Sequence, residues 1–250
     1  MRKLAVLGLM GMFGFCAQSS AQTPAQAPAK PKAAAAPKAG TSAKTGTGAA
    51  RPYDRALLRP SLLKEKAPET FQVKFTTTRG DFVVIVSRAW APIGADRFYN
   101  LVKHHFYDNA SFFRVVPGFV VQFGLSAYPP VSAAWEKANL QDEPVTQSNK
   151  RGYLTYAKTS LPNTRSTQIF INLKDNDSLD RQGFSPFGFV DVQGMKVVDM
   201  LYDQYGDSGG PDQDQISKLG KPYLDKGWPK LDSIKTATLV VAAPPAAKPQ

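Results

Sequence analysis

Phe112-Phe113-Arg114-Val115-Val116-Pro117-Gly118-Phe119-Val120-Val121-Gln122 decides the fold. It holds two short strand candidates, Phe112–Val116 and Phe119–Phe123, with Pro117 and Gly118 between them. Upstream, Phe71, Val73 and Phe75 alternate with polar residues as a half-buried strand should. Thr78-Arg79-Gly80-Asp81 is turn chemistry and Phe82–Val86 a β-branched partner, so this region predicts a hairpin. Pro92 suits the first turn of a helix, and Phe98, Leu101 and Val102 follow with i, i+3, i+4 spacing. Downstream strand candidates are Tyr153–Ala157, Gln168–Leu173, Phe187–Val192 and Ile234–Val241. A second helix is expected at Met195–Tyr205, with Val198, Leu201 and Tyr205 on one face. Eight short strands and two widely separated helices predict a mainly β fold, a closed antiparallel eight-stranded barrel capped by two helices.

Composition narrows the function classes. At 250 residues the chain suits one domain with appendages, and 42% hydrophobic residues suffice for a core. A single cysteine, Cys16, excludes a disulfide framework and a zinc ribbon. Only two histidines are present, the adjacent His104 and His105, so no multi-histidine metal site is expected. Their place at a helix end suits a cation against the dipole, and they are assigned no chemistry. The net charge of +11 suggests nucleic acid, but six of the 31 basic residues precede residue 51, where there is no acid. The remaining 25 face 20 acids and form no basic stripe with interleaved aromatics, so nucleic-acid binding is not expected.

The termini read as appendages. Arg2 and Lys3 precede the apolar run Leu4–Phe15, and Ser19-Ser20-Ala21 offers small residues for cleavage, so residues 1–21 are expected to be a signal peptide. The run is shorter than the roughly 20 residues that span a bilayer, so no stable membrane insertion is expected. Phe15, where a small residue belongs, argues against lipidation of Cys16. Cleavage after Ala21 would leave no cysteine and implies a periplasmic or secreted protein. Residues 22–69 are expected to be a disordered Ala/Pro/Lys-rich linker and lead-in, with order beginning near Phe71. The domain is expected over 70–241 and a disordered tail over 242–250.

Two motifs compete. Gly206-Asp207-Ser208-Gly209-Gly210-Pro211 matches the surroundings of a chymotrypsin-like nucleophilic serine. A protease needs a base beside Ser208 and a carboxylate behind that base. His104 and His105 lack the usual protease context, so the favoured reading of the hexamer is a surface turn.

The second is a constellation. Phe112–Gln122 closely resembles the central motif of cyclophilin-type peptidyl-prolyl cis–trans isomerases. The resemblance extends in collinear order over about Phe71–Leu201: Arg97-Phe98-Tyr99-Asn100-Leu101-Val102, Asn163-Thr164-Arg165-Ser166-Thr167-Gln168-Ile169-Phe170-Ile171, Leu179-Asp180, Phe187-Gly188-Phe189-Val190 and Gly194-Met195. Residues 206–231 resemble an extension of secreted bacterial members, expected here as an added helix and loop. The resemblance implies an isomerase of X–Pro bonds that works without cofactor or metal, as a monomer, on proline-containing polypeptides. It implies Arg114, Gln122 and Phe119 as catalytic residues, with Val120, Phe170 and Leu179 around the proline ring. Gln168 resembles a second ordering amide and Ala157 the small residue over which the peptide passes.

Those residue types suit the chemistry. The X–Pro amide resists rotation with a barrier of about 18–20 kcal/mol, set by resonance. Rotation needs no nucleophile; it needs support for a twisted amide whose nitrogen has regained its lone pair. Arginine offers a permanent cation with directional donors. Taken one at a time, Phe119 and Phe170 suit ordinary core and Arg114 a surface; order and spacing together favour the site.

The chain departs from the family pattern at several positions. Lys158 stands where an asparagine commonly contacts substrate, Phe184 where a histidine often lines the pocket, and Ser178 where an aromatic precedes the leucine. Tyr156 replaces a frequent methionine, and Phe123-Gly124 follows Gln122 instead of paired glycines. The loss at Ser178 implies weak cyclosporin binding. The rival reading is a non-catalytic chaperone or peptide-binding module on the same barrel.

Overall fold

In the computed structural model residues 52–240 are described. The expected signal peptide, the linker before residue 52 and the tail after residue 241 lie outside them. The strands are β1 (Thr70–Thr77) and β2 (Asp81–Ser87), β3 (Arg114–Val116) and β4 (Val120–Phe123), β5 (Tyr153–Tyr156), β6 (Ile169–Asn172), β7 (Pro186–Val190) and β8 (Ile234–Val240). Helix α1 (Pro92–Lys103) follows β2, α2 (Pro129–Trp135) follows β4, α3 (Val192–Val198) follows β7, and α4 (Gln213–Leu219) and α5 (Lys221–Gly227) precede β8.

The hairpin forms as the alternation predicts: Phe71, Val73 and Phe75 are buried, and Phe75 lies opposite Phe82 with their rings stacked 5.0 Å apart. Its turn needs Gly80, whose φ of +130° disfavours a side chain. All sheet pairings are antiparallel, in the order β3-β4-β6-β5-β7-β2-β1-β8.

The expected closed barrel is corrected: no ladder joins the outer strands β3 and β8. The chain just before β3 touches the approach to β8 through the bridge Ser111↔Ser233, and Phe112 N donates to Asp232 O at 3.0 Å. Beyond Phe112 the two part, because three-residue β3 pairs only with β4.

The expectation of two helices is corrected as well. Helix α2 opens on Pro129-Pro130 and buries Trp135, whose Nε1 donates to Leu57 O at 2.8 Å. The helix expected at Met195–Tyr205 starts earlier and ends at Val198. Asp191 caps it by accepting from Gly194 N at 2.6 Å, and Tyr202 N donates to the Asp232 carboxylate at 2.7 Å instead of to a helical carbonyl. The 206–231 extension forms two helices, broken at Gly220 with φ +65°.

Order also begins earlier than Phe71. Leu57 is 1% exposed within the main core, and Asn100 fastens the lead-in by exchanging hydrogen bonds with the Glu65 backbone. Helix α1 lacks a side-chain cap at Ala91; the Glu143 carboxylate accepts from Ile93 N (2.5 Å) and Gly94 N (3.0 Å) in its place. Glu143 is paired in turn with buried Arg165 at 2.9 Å.

Candidate active site

Strand register builds the site. Arg114 on β3 lies opposite Gln122 on β4, which lies opposite Phe170 on β6. Cross-strand partners share a face, so three residues distant in sequence stand in one row. Val120, two before Gln122, and Gln168, two before Phe170, belong to the same face by alternation. The alternate row, Val115, Val121, Ile171 and Leu154, points the other way and is buried in the main core.

The apolar part is a separate small cluster: Val120, Phe170 and Leu179 are buried, and Phe119, Ala157 and Phe184 pack against them. Phe170 and Phe184 meet edge to face at 5.7 Å. Leu179 arrives on the 3₁₀ turn Asp177–Gln182, ended by Gly183 at φ +77°. The buried side chain of Asn149 ties these walls together: its Nδ2 donates to Asp180 Oδ1 (2.7 Å) and Phe184 O (2.9 Å). Phe119 is held by its carbonyl, which accepts from Leu173 N and Asn176 Nδ2. Ser178 is exposed beside Leu179, so no ring covers that edge.

The polar part adjoins it. The Arg114 guanidinium sits 5.7 Å from the Phe119 ring centroid, and Nη1 donates to Gln122 Oε1 at 3.2 Å. Gln122 Nε2 donates to Gln168 Oε1 at 2.8 Å. Lys158 Nζ lies 5.6 Å over the Phe184 ring and 3.6 Å from Asp142. A cavity of about 630 Å³ opens from Gln122, Gln168, Ala157 and Lys158 toward α2 and α4. All ten residues singled out in the sequence therefore meet in one region.

Sequence reasoning missed Asp207 as a neighbour. Its Oδ1 accepts from Arg114 Nε at 2.5 Å, and that hydrogen bond lowers its carboxyl pKa below the ordinary 3.8. Asp180, the neighbour of Leu179, is the second acid at the site. Burial raises its pKa, but hydrogen bonds from Ser148 and Asn149 outweigh that and leave it below 3.8.

The protease reading fails on geometry. Ser208 is exposed in a turn; His104 Nδ1 pairs with Asp54 at 2.7 Å and His105 Nδ1 lies 3.3 Å from Asp108, so neither imidazole bonds Ser208.

Comparison with known proteins bears on the same region. Residues 72–221 match the family model for cyclophilin type peptidyl-prolyl cis-trans isomerase. The chain is 32% identical to a peptidyl-prolyl cis-trans isomerase of Acinetobacter baylyi, over 56% of this chain and 76% of that protein. It is 34% identical to peptidyl-prolyl cis-trans isomerase B of Escherichia coli, over 52% of this chain and 82% of that protein. In fold it resembles a cyclophilin type isomerase of Cryptosporidium parvum, with a TM-score of 0.53 at 20% identity, covering 70% of this chain and 99% of that one. A second structure of that protein, solved in the presence of the dipeptide Ala-Pro, has a TM-score of 0.50 at the same identity and covers 68% of this chain and 99% of that one. With most of the sheet, Arg114 and the apolar cluster inside the matched residues, the chain belongs to the cyclophilin-type peptidyl-prolyl cis–trans isomerase family.

Proposed function

We propose that the isomerase activity of this family is exerted at the Arg114–Phe119–Phe170 hollow, on X–Pro bonds of polypeptides outside the cytoplasm. The observation that carries the assignment is a cation beside an apolar cluster: Arg114 lies 5.7 Å from the Phe119 ring, which packs on Val120, Phe170 and Leu179, and is bonded to Gln122.

The proline ring enters the recess of Val120, Phe170 and Leu179, with Phe119, Ala157 and Phe184 at its margin. Burying the ring fixes one side of the amide, while the preceding residue stays free to turn. As the bond twists, conjugation is lost and the nitrogen lone pair becomes basic. An Arg114 N–H then donates toward that nitrogen, an interaction stronger in the twisted state than in the planar one, which is the condition for acceleration. Gln122 holds the guanidinium and Gln168 holds Gln122, so the donor needs little reorganisation. Gln168 and the Ala157 backbone face the peptide chain, and Lys158 offers a cationic contact where the family commonly has an amide. No bond is made or broken, so no cofactor enters the reaction.

The extracytoplasmic placement rests on the basic start and apolar run before Ser19-Ser20-Ala21. Action as a monomer is part of the same proposal. Among the described residues no helix is long and apolar enough to cross a membrane.

A protease-coupled assay on short proline peptides tests the function. Acceleration by the full chain is expected. Inactivity on every proline peptide, with retained suppression of client aggregation, would transfer the assignment to a non-catalytic chaperone. Amino-terminal sequencing of protein recovered from the periplasm or medium tests the address, with Gln22 expected first.

A further inference from the structure

We propose that Asp207, in the segment that mimics a protease motif, is a positioning residue that sets the orientation of the Arg114 guanidinium for X–Pro rotation. The inference rests on the assignment of Arg114 to that reaction.

A guanidinium is a rigid planar fork, so two hydrogen bonds made from different edges fix its plane. Gln122 supplies one, on Nη1 at 3.2 Å, and Asp207 the other, on Nε at 2.5 Å. With Nε and Nη1 occupied, Nη2 has no bonded partner among the described residues and is left for a substrate. A neutral amide alone would let the fork swing about the Nη1 contact. The carboxylate adds a charge-assisted bond at the root of the group, where a small rotation displaces the far nitrogens most.

The Asp207 side chain is 64% exposed, so its ion pair adds little to global stability. Its place is nevertheless built. Gly206, at φ +58°, turns the chain; Gly209 N donates back to Tyr205 O at 3.0 Å, and Gly209 O accepts from Trp228 Nε1 at 2.9 Å. Pro211 is buried behind the turn. The helices that follow are anchored through Ile216 and Leu224 on Phe113, the residue beside Arg114. The extension is thus packed onto the residue that precedes the guanidinium-bearing strand, and the acid reaches Arg114 across 93 positions of sequence.

The test is a double-mutant cycle on the full chain, reading kcat and KM separately with thermal melting. Asp207→Ala is expected to lower kcat about tenfold with KM and melting temperature nearly unchanged, the mark of lost orientation. Asp207→Glu should recover part of the loss. In the Arg114→Ala background, Asp207→Ala should change nothing further, because its effect passes through the missing group. In ¹⁵N spectra the Arg114 Nε–H should exchange faster with water in Asp207→Ala than in wild type. Wild-type kcat in Asp207→Ala, an equal loss in the Arg114→Ala background, or an unaltered Nε–H exchange rate would each overturn the proposal while leaving the Arg114 assignment in place. A wild-type rate in Arg114→Ala would remove that assignment itself.

Discussion

Gln122 and Gln168 are joined end to end, Nε2 to Oε1 at 2.8 Å, and this contact decides which way the Gln122 amide faces. With its NH₂ group committed to Gln168, Gln122 presents its oxygen to Arg114. A flipped amide would set two donors against each other.

Removing that link should show in rate before it shows in stability. Gln122→Ala is expected to lower kcat/KM about tenfold, because the guanidinium loses one of its two anchors. Its melting temperature should stay close to wild type. A wild-type rate in the protease-coupled assay would show that Arg114 needs no such anchor.

Acid should act on the pocket through Asp180. Its folded pKa lies below 3.8, and the unfolded carboxyl returns toward that ordinary value. A lowered folded value means that the charged form is favoured by folding. Its contribution is therefore complete above the unfolded pKa and lost as pH falls through the folded one. The melting-temperature gap between wild type and Asp180→Asn should hold steady from about pH 7 to pH 5 and shrink below about 3.8. A gap that grows on acidification would reverse the assigned sign.

Glu143 makes Arg165 hard to replace. Both side chains are nearly fully buried, and the carboxylate also caps α1. Arg165→Ala should destabilise the fold by about 3–5 kcal/mol, since a buried charge loses its partner. Urea unfolding checks this, with Glu143→Gln/Arg165→Met expected to cost less than the single change.

Much of this was readable in one dimension, for definite physical reasons. Alternation exposes a strand with one wet face, so Phe71, Val73 and Phe75 announce β1. The site residues lie on strands whose local order and spacing resemble a known pattern, which is why Arg114, Gln122, Gln168 and Phe170 could be named together. What stayed hidden is what depends on distant partners. Tyr202 leaves the helical pattern because Asp232 takes its N–H from 30 positions away, and nothing near Tyr202 signals it. Leu57 belongs to a Pro- and Lys-rich stretch that looks like linker until Trp135 reaches its carbonyl. Asp207 lay inside a hexamer whose protease likeness drew attention to Ser208, while its partner, Arg114, is far upstream. Barrel closure also depends on distant partners: β3 pairs only with β4, and the isolated bridge Ser111↔Ser233 links the approaches to β3 and β8 without a ladder.

The central claim is that one guanidinium beside an apolar recess lowers the barrier to X–Pro rotation. The most direct measurement is kcat/KM of Arg114→Ala on a short proline peptide, with thermal melting in parallel. The account predicts a loss of about a hundredfold or more, the scale of removing one preorganised donor from a developing charge, with the melting temperature within a few degrees of wild type. Rotation at the wild-type rate by a folded Arg114→Ala protein would contradict it.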